Sequence, residues 1–355
     1  MKLNRWLTPI AAALMLGLTG CGDKIQYSSM VSFGDSLSDV GTYNVGTVAA
    51  FGGGKYTVNS PSAKNWTELV AAHYGLAAPC AAQTGLDGMN GTKDGFPINF
   101  SVPVTNHLNC FNYAQGGARV TNPFGPGNKQ YTESAALGQL TVPVVTQMQT
   151  HLGRLPQGKF TGTELVTVMA GGNDVIINVA TYAPAAAEGS AQAATAAVTA
   201  MATAGAELAG YVKTKLKANG AKYIVVVNLP DVASTPAFST HPAKPLVSSM
   251  VTAFNNSLQA GLDGSGVLLV DAYGLSLDLI ANKQKYGLTN VENTACLLGK
   301  ANEKINPLNS SLICTTQSAL PGSQFYLFAD TVHPTPYGNK VNADFITKKI
   351  DRMIW

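Results

Sequence analysis

A hydroxyl, a carboxylate–imidazole pair and two glycine-rich turns stand at four separated places in this chain, three of them where apolar runs end. Gly34-Asp35-Ser36-Leu37-Ser38-Asp39 follows the run at residues 29–33. Gly171-Gly172-Asn173-Asp174 follows residues 164–169, and Asp330-Thr331-Val332-His333-Pro334 follows residues 325–328. The fourth cluster is Asn112-Tyr113-Ala114-Gln115-Gly116-Gly117-Ala118. Taken singly, each has a bland account: a capped turn, an ordinary loop, a surface ion pair. Taken together they supply a nucleophile, a histidine oriented by a carboxylate, and hydrogen-bond donors for a developing oxyanion, which is what acyl transfer requires. Of the 5 histidines, only His333 lies just past a strand with an aspartate three residues upstream. His73 and His151 fall on helical patterns and His107 and His241 in loops, and all four read as surface or capping residues.

The elements that must position these groups alternate. Short β-branched runs at residues 29–33, 164–169, 223–227, 267–270 and 325–328 are separated by helical patterns at 66–74, 140–152, 183–217, 245–262, 275–283 and 337–354. The alanine-rich stretch at 183–217 reads as one long helix, closed by Lys213, Lys215, Lys217 and Asn219-Gly220. Residues 75–112 read as a loop dense in Gly, Asn and Pro. This order predicts an α/β fold: a three-layer α/β/α sandwich around a mostly parallel sheet of about five strands, with ligands bound beyond the strands' carboxyl ends. No linker or repeat divides residues 29–355, which are expected to form a single domain.

At 46% hydrophobic and 12% charged residues, the composition is that of a folded chain with a sizeable core. Net charge is +3, or +1 once Lys2 and Arg5 are set aside, so nothing electrostatic points to nucleic acid. Met1-Lys2-Leu3-Asn4-Arg5 leads into an apolar run too short to span a bilayer comfortably, as in an export signal covering residues 1–20. Four of the 5 cysteines, Cys80, Cys110, Cys296 and Cys314, allow three pairings, of which nearest-neighbour pairing is expected. Two such disulfides would suit an oxidising compartment. Without a Cys-x-x-Cys pair, no metal is expected. The chain also lacks Gly-x-Ser-x-Gly, His-Glu-x-x-His and a Walker loop, and Gly52-Gly53-Gly54-Lys55 reads as a flexible turn.

Two resemblances refine this reading. Leu18-Thr19-Gly20-Cys21 resembles the bacterial lipobox, which implies lipid attached to Cys21, a tether at residues 21–28 and a membrane partner. Gly22 does not resemble an inner-membrane retention signal, so an outer-membrane lipoprotein is expected, with a secreted form as the alternative. The blocks Phe33 to Asp39, Asn112 to Ala118, Gly172-Asn173-Asp174 and Asp330 to Pro334 resemble, in order and spacing, those of the GDSL/SGNH hydrolases. The similarity is closest to the branch of bacterial lipases, phospholipases and acyltransferases. It implies Ser36 as nucleophile, His333 as general base and acid, and Asp330 as its orienting carboxylate. It implies an oxyanion hole of the Ser36 amide, the Gly117 amide and the Asn173 side chain, with Gly116 open as the alternative to Gly117. Asp35 and Asp39 are expected to support the turn, although Thr42 stands where the family often has Asn.

The reaction expected is hydrolysis of a carboxylic ester, small or lipid, through a serine acyl-enzyme and without a cofactor. Transfer of the acyl group to an alcohol uses the same groups and is the alternative. A non-catalytic lipid- or glycan-binding lipoprotein is a third reading, since fold alone does not establish activity.

Overall fold

The computed structural model describes residues 25–93, 96–130 and 137–355. The export signal and Cys21 lie outside the described residues. Of the expected tether, residues 27 and 28 are packed: the Tyr27 ring meets Tyr74 and Tyr223 edge-on, and the Ser28 amide donates to Thr163 O at 2.9 Å.

In chain order the elements are β1 (Met30–Gly34), α1 (Gly46–Ala50), α2 (Trp66–His73), β2 (Gln83–Lys93), β3 (Phe96–Asn106), α3 (Val144–Arg154) and β4 (Leu165–Met169). There follow α4 (Gly172–Ala187), α5 (Ala191–Tyr211), β5 (Tyr223–Val227), α6 (Lys244–Leu262), β6 (Leu268–Val270), α7 (Ala272–Ala281), β7 (Asn290–Thr294), β8 (Tyr326–Phe328) and α8 (Pro336–Ile350). The main sheet is all parallel, in the order β1-β4-β5-β6. Strand alternation sends Val31, Phe33, Val166, Val168, Ile224 and Val226 to one face, against α3, α4, α5 and α6. Met30, Leu165, Met169, Val225 and Val227 face the other way, against α2 and α8. Covered on both sides, these strands are apolar at nearly every position, and the result is a three-layer α/β/α sandwich.

Three elements differ from the sequence reading. The run at 325–328 forms β8, but β8 pairs with β7 in a separate two-stranded sheet, leaving four strands in the main one. An apolar run announces burial and not its partner, and Asn290-Val291-Glu292-Asn293-Thr294 carries no alternation that would have revealed β7. Residues 75–112 are not simply loop: β2 and β3, 11 residues each, pair as an antiparallel hairpin with two register shifts. Leu86 and Phe100 of that hairpin are buried against Tyr43, Val48 and Leu312, contacts no local pattern discloses. Finally, the alanine-rich stretch is two helices. Gly189, at φ +93°, ends the first, and the Ser190 side chain caps α5 by accepting from the Ala193 amide.

Candidate active site

The strand ends bring the four clusters together. Ser36 sits two residues beyond β1, Asn173 is the second residue of α4, and His333 lies between β8 and α8. Ser36 Oγ is 2.7 Å from His333 Nε2. On the far side of the imidazole, His333 Nδ1 is 2.9 and 2.8 Å from the two Asp330 oxygens. With Nδ1–H donating to this carboxylate, Nε2 is left to accept from the serine hydroxyl. Asp330 also accepts from the Val332, His333 and Ser311 amides. Burial alone would raise its pKa; the His333 charge and these hydrogen bonds outweigh burial and hold the carboxyl well below its usual range.

The turn after β1 is anchored on every side. Gln147, from α3, grips Gly34 twice: its Oε1 accepts from the Gly34 amide at 2.9 Å and its Nε2 donates to the Gly34 carbonyl at 2.8 Å. Asp35 Oδ1 accepts from the Leu37 amide, and burial pushes its carboxyl up to about 7. Asp39 Oδ1 accepts from the Gly41 and Thr42 amides, while Oδ2 accepts from the Gly116 amide at 3.0 Å. Burial pushes Asp39 up to about 6 despite those three amides. Thr42 hydroxyl donates to Ala114 O, so this position ties the first block to the glycine block with the threonine it has. The Asp39 carboxylate thus links the turn at Gly41 and Thr42 to the glycine turn at Gly116.

Gly117 faces the cavity at φ +79°, and an added Cβ would lie 2.4 Å from Pro126 O. Its neighbour Gly116 has no room for a Cβ because the Tyr56 hydroxyl would be 2.0 Å away. Asn173 Nδ2 donates to Ala118 O at 2.8 Å, which spends one of two amide hydrogens and fixes the side chain. Asp174 continues the linkage, accepting from Arg119 Nε at 2.9 Å and the Val120 amide at 3.0 Å. The glycine turn is thus pinned by Asp39 from one side and by α4 from the other.

These groups open on a cavity of about 490 Å³, in the range of small-molecule sites. Ser36, Gly117, Asn173 and His333 line it, with Phe100, Ile176, Leu229, Val232 and Leu308 among its apolar walls. Phe100 comes from the hairpin and Leu308 from the loop closed by the second disulfide. The structure pairs Cys80 with Cys110 and Cys296 with Cys314. Among the described residues, no cluster of three or more His, Cys, Asp or Glu side chains is arranged to hold a metal, and no helix is long and apolar enough to cross a membrane.

Three contributors had no signal in the sequence. Gln147 sits in an unremarkable amphipathic helix. Tyr56 lays its ring 4.7 Å from that of His333, at 34°, and its hydroxyl accepts from Gln139 Nε2 at 2.6 Å. Ser311 contributes only a backbone amide. The glycines before Tyr56 form a packed turn, not a flexible one, since the Gly54 amide donates to Leu312 O at 2.8 Å. His151 corrects an expectation: it is 2% exposed, lodged among Phe33, Phe111, Tyr113 and Phe160, and so belongs to the core.

A family model described as "GDSL-like Lipase/Acylhydrolase" matches residues 30–346. Esterase EstA of Pseudomonas aeruginosa is 27% identical over 358 residues, covering 96% of this chain and 50% of that protein. An uncharacterized protein in the trpE-trpG intergenic region of Pseudomonas putida is 28% identical over 329 residues, covering 90% of this chain and 48% of that one. The chain therefore spans about half the length of the curated relatives it matches. The solved structure of Est24, a carbohydrate acetylesterase from Sinorhizobium meliloti, aligns over 92% of this chain and 100% of that one, at 15% identity and a TM-score of 0.41. That likeness is too distant to bear on substrate.

Proposed function

Since this chain belongs to the GDSL-like lipase/acylhydrolase family, we propose that it is a serine ester hydrolase with Ser36, His333 and Asp330 as its catalytic triad. The observation that carries the reading is the unbroken line from Asp330 through His333 Nδ1 and Nε2 to Ser36 Oγ, closing at 2.7 Å inside an apolar cavity.

Ser36 Oγ attacks the ester carbonyl carbon while His333 Nε2 takes the hydroxyl proton. The carbonyl π electrons move to oxygen, and the oxyanion is held by the Ser36 and Gly117 amides and the remaining Asn173 Nδ2 hydrogen. Such donors act best where their positions are set before charge develops. Asn173 is fixed by Ala118 O, and the glycine turn by Asp39 and Asp174. Collapse of the intermediate breaks the bond to the alcohol oxygen, which leaves with the proton from His333. Water then attacks the acyl-enzyme by the same route in reverse, releasing the acid and restoring the Ser36 hydroxyl. Asp330, kept ionised by the His333 charge and its hydrogen bonds, orients the imidazole and stabilises its cation.

Hydrolysis of nitrophenyl esters by the wild type, with loss in Ser36→Ala and in His333→Ala, tests this reading. A folded wild type that neither hydrolyses them nor is labelled on Ser36 by a serine-reactive phosphonate would sink it. The lipobox-like Leu18-Thr19-Gly20-Cys21 supports a second element of the proposal, export and lipid anchoring at Cys21 in the outer membrane. Incorporation of a labelled fatty acid that is lost in Cys21→Ser tests it.

A further inference from the structure

We infer that the acyl chain of the substrate leaves the main cavity between Leu37 and Val332 and enters a second, apolar crevice beneath the site. The inference rests on the ester hydrolase reading and adds to it the substrate class, esters of short unbranched acids.

The crevice, of about 80 Å³, shares Leu37, Pro230, Thr235 and Val332 with the main cavity. Those two hydrophobic lips are the sequence neighbours of the reacting groups: Leu37 follows Ser36 and Val332 precedes His333. Beyond them the crevice runs along the carboxyl ends of β4 and β5, under α7 and α8. Met169, Val227, Leu275, Leu279, Leu327 and Phe328 line it and are all buried. Asp231, Thr235, Ser276, Asn339 and Asn342 also line it, and the first four are engaged with Ser234 Oγ and the carbonyls of Val232, Tyr273 and Thr335. The apolar walls therefore take methylene groups more readily than hydrated or charged ones.

Of the two halves of an ester, the acyl half suits this space. It stays bound to Ser36 Oγ after the first step, so its chain starts beside Leu37. The alcohol half must escape before water attacks, and the larger cavity of about 490 Å³ gives it room to do so. The small volume of the crevice limits its occupant to a few carbons. Long fatty acyl chains would have to remain in the larger cavity.

The test is kcat/KM for nitrophenyl acetate, butyrate, hexanoate and octanoate with the full-length chain and two variants. In the wild type each methylene that enters the crevice should raise kcat/KM by about fourfold, the factor for burying one such group, until the space is filled. Ala272→Leu, at the start of α7, extends into the crevice and should abolish that rise while leaving acetate hydrolysis as it is. Leu275→Ala enlarges the space and should move the optimum to longer acids, which keeps the idea open to refutation if the first variant does not fold. An unchanged chain-length profile in a folded variant, with acetate hydrolysed normally, overturns the crevice assignment alone. Failure of the folded wild type to hydrolyse acetate at all, or to be labelled on Ser36, removes the ester hydrolase reading and this inference with it.

Discussion

Asp39 Oδ2 accepts the Gly116 amide at 3.0 Å, and this one bond distinguishes the two glycines of the turn. The Gly116 N–H is spent on a buried carboxylate behind the site, whereas Gly117 lines the cavity. Gly117 is accordingly the donor in the proposed oxyanion hole. In Asp39→Asn, if the side-chain oxygen stays on the Gly41 and Thr42 amides, a donor faces the Gly116 N–H and pushes the turn away. Misplacement of catalytic groups by about 1 Å costs about 10²-fold in rate. We expect kcat to fall by that order with KM little changed, measured on a nitrophenyl ester. A kcat equal to that of the wild type would show that the turn is held without Asp39.

Gln147 is the corresponding brace on the strand side. Gln147→Leu keeps much of the side chain's bulk but leaves the Gly34 amide without its acceptor, Oε1. The Gly34 carbonyl keeps a bond from the Gln115 amide, so the loss falls mainly on the amide. An unsatisfied buried donor costs about 1–3 kcal/mol. Chemical denaturation should show a loss of that order, and kcat should fall because Ser36 is two residues from the released amide. A drop in stability with kcat intact would make Gln147 a structural residue only.

The Cys296–Cys314 bridge closes a segment that touches the site at two points. Ser311 gives its amide to Asp330 at 3.0 Å, and Leu308 forms part of the cavity wall. Replacing both cysteines by serine should cost about 3 kcal/mol, the scale for a loop of this size. It should also lower kcat and alter the preference among ester substrates. Opening the Cys80–Cys110 bridge instead should affect the hairpin that supplies Phe100, hence substrate preference more than kcat. Identical selectivity after both changes would mean the loops do not shape the pocket.

His151 gives stability a pH dependence of definite sign. Burial pushes its pKa from an ordinary 6.5 down to about 4; Glu164 pulls the other way and Arg154 adds to the depression. The unfolded chain therefore holds the extra proton between those values. Stability from this residue is complete above pH 6.5 and is lost as pH falls toward 4, by about 3 kcal/mol in all. Asp35 and Asp39 act in the opposite sense. Their raised pKa values favour the folded state at low pH, an advantage lost as pH rises through about 6 to 7. The difference between wild type and His151→Gln isolates the histidine. Their melting temperatures should diverge in slope between pH 6.5 and 4, and parallel curves across that window would refute the assignment.

How much was legible from the residues depended on whether the signal was local. The strands β1, β4 and β5 and the helices α2, α6 and α8 were readable to within a few residues, because periodicity and caps are properties of neighbours in the chain. The hairpin was not, since Leu86 and Phe100 become core positions only against Tyr43 and Leu312. Gly189-Ser190, a stop and a cap in succession, was a local signal outweighed in the reading by the surrounding alanine. His151 sat on a helical pattern that does not say which face meets aromatic rings.

The sequence by itself determined which groups could do chemistry and that they stand in the order of one family. The types Ser36, Asn173, Asp330 and His333, placed near strand ends, depend only on composition and local pattern. Tertiary structure alone decided which glycine amide is taken by Asp39 and which glutamine holds the end of β1. It also brought a disulfide loop to Asp330 and placed a largely apolar crevice beside the cavity. Each of these joins residues far apart in the chain, 77 positions from Asp39 to Gly116 and 113 from Gly34 to Gln147. Hydrogen bonds and cavity walls depend on distance in space, and only the packed sheet and its two helical layers set that distance.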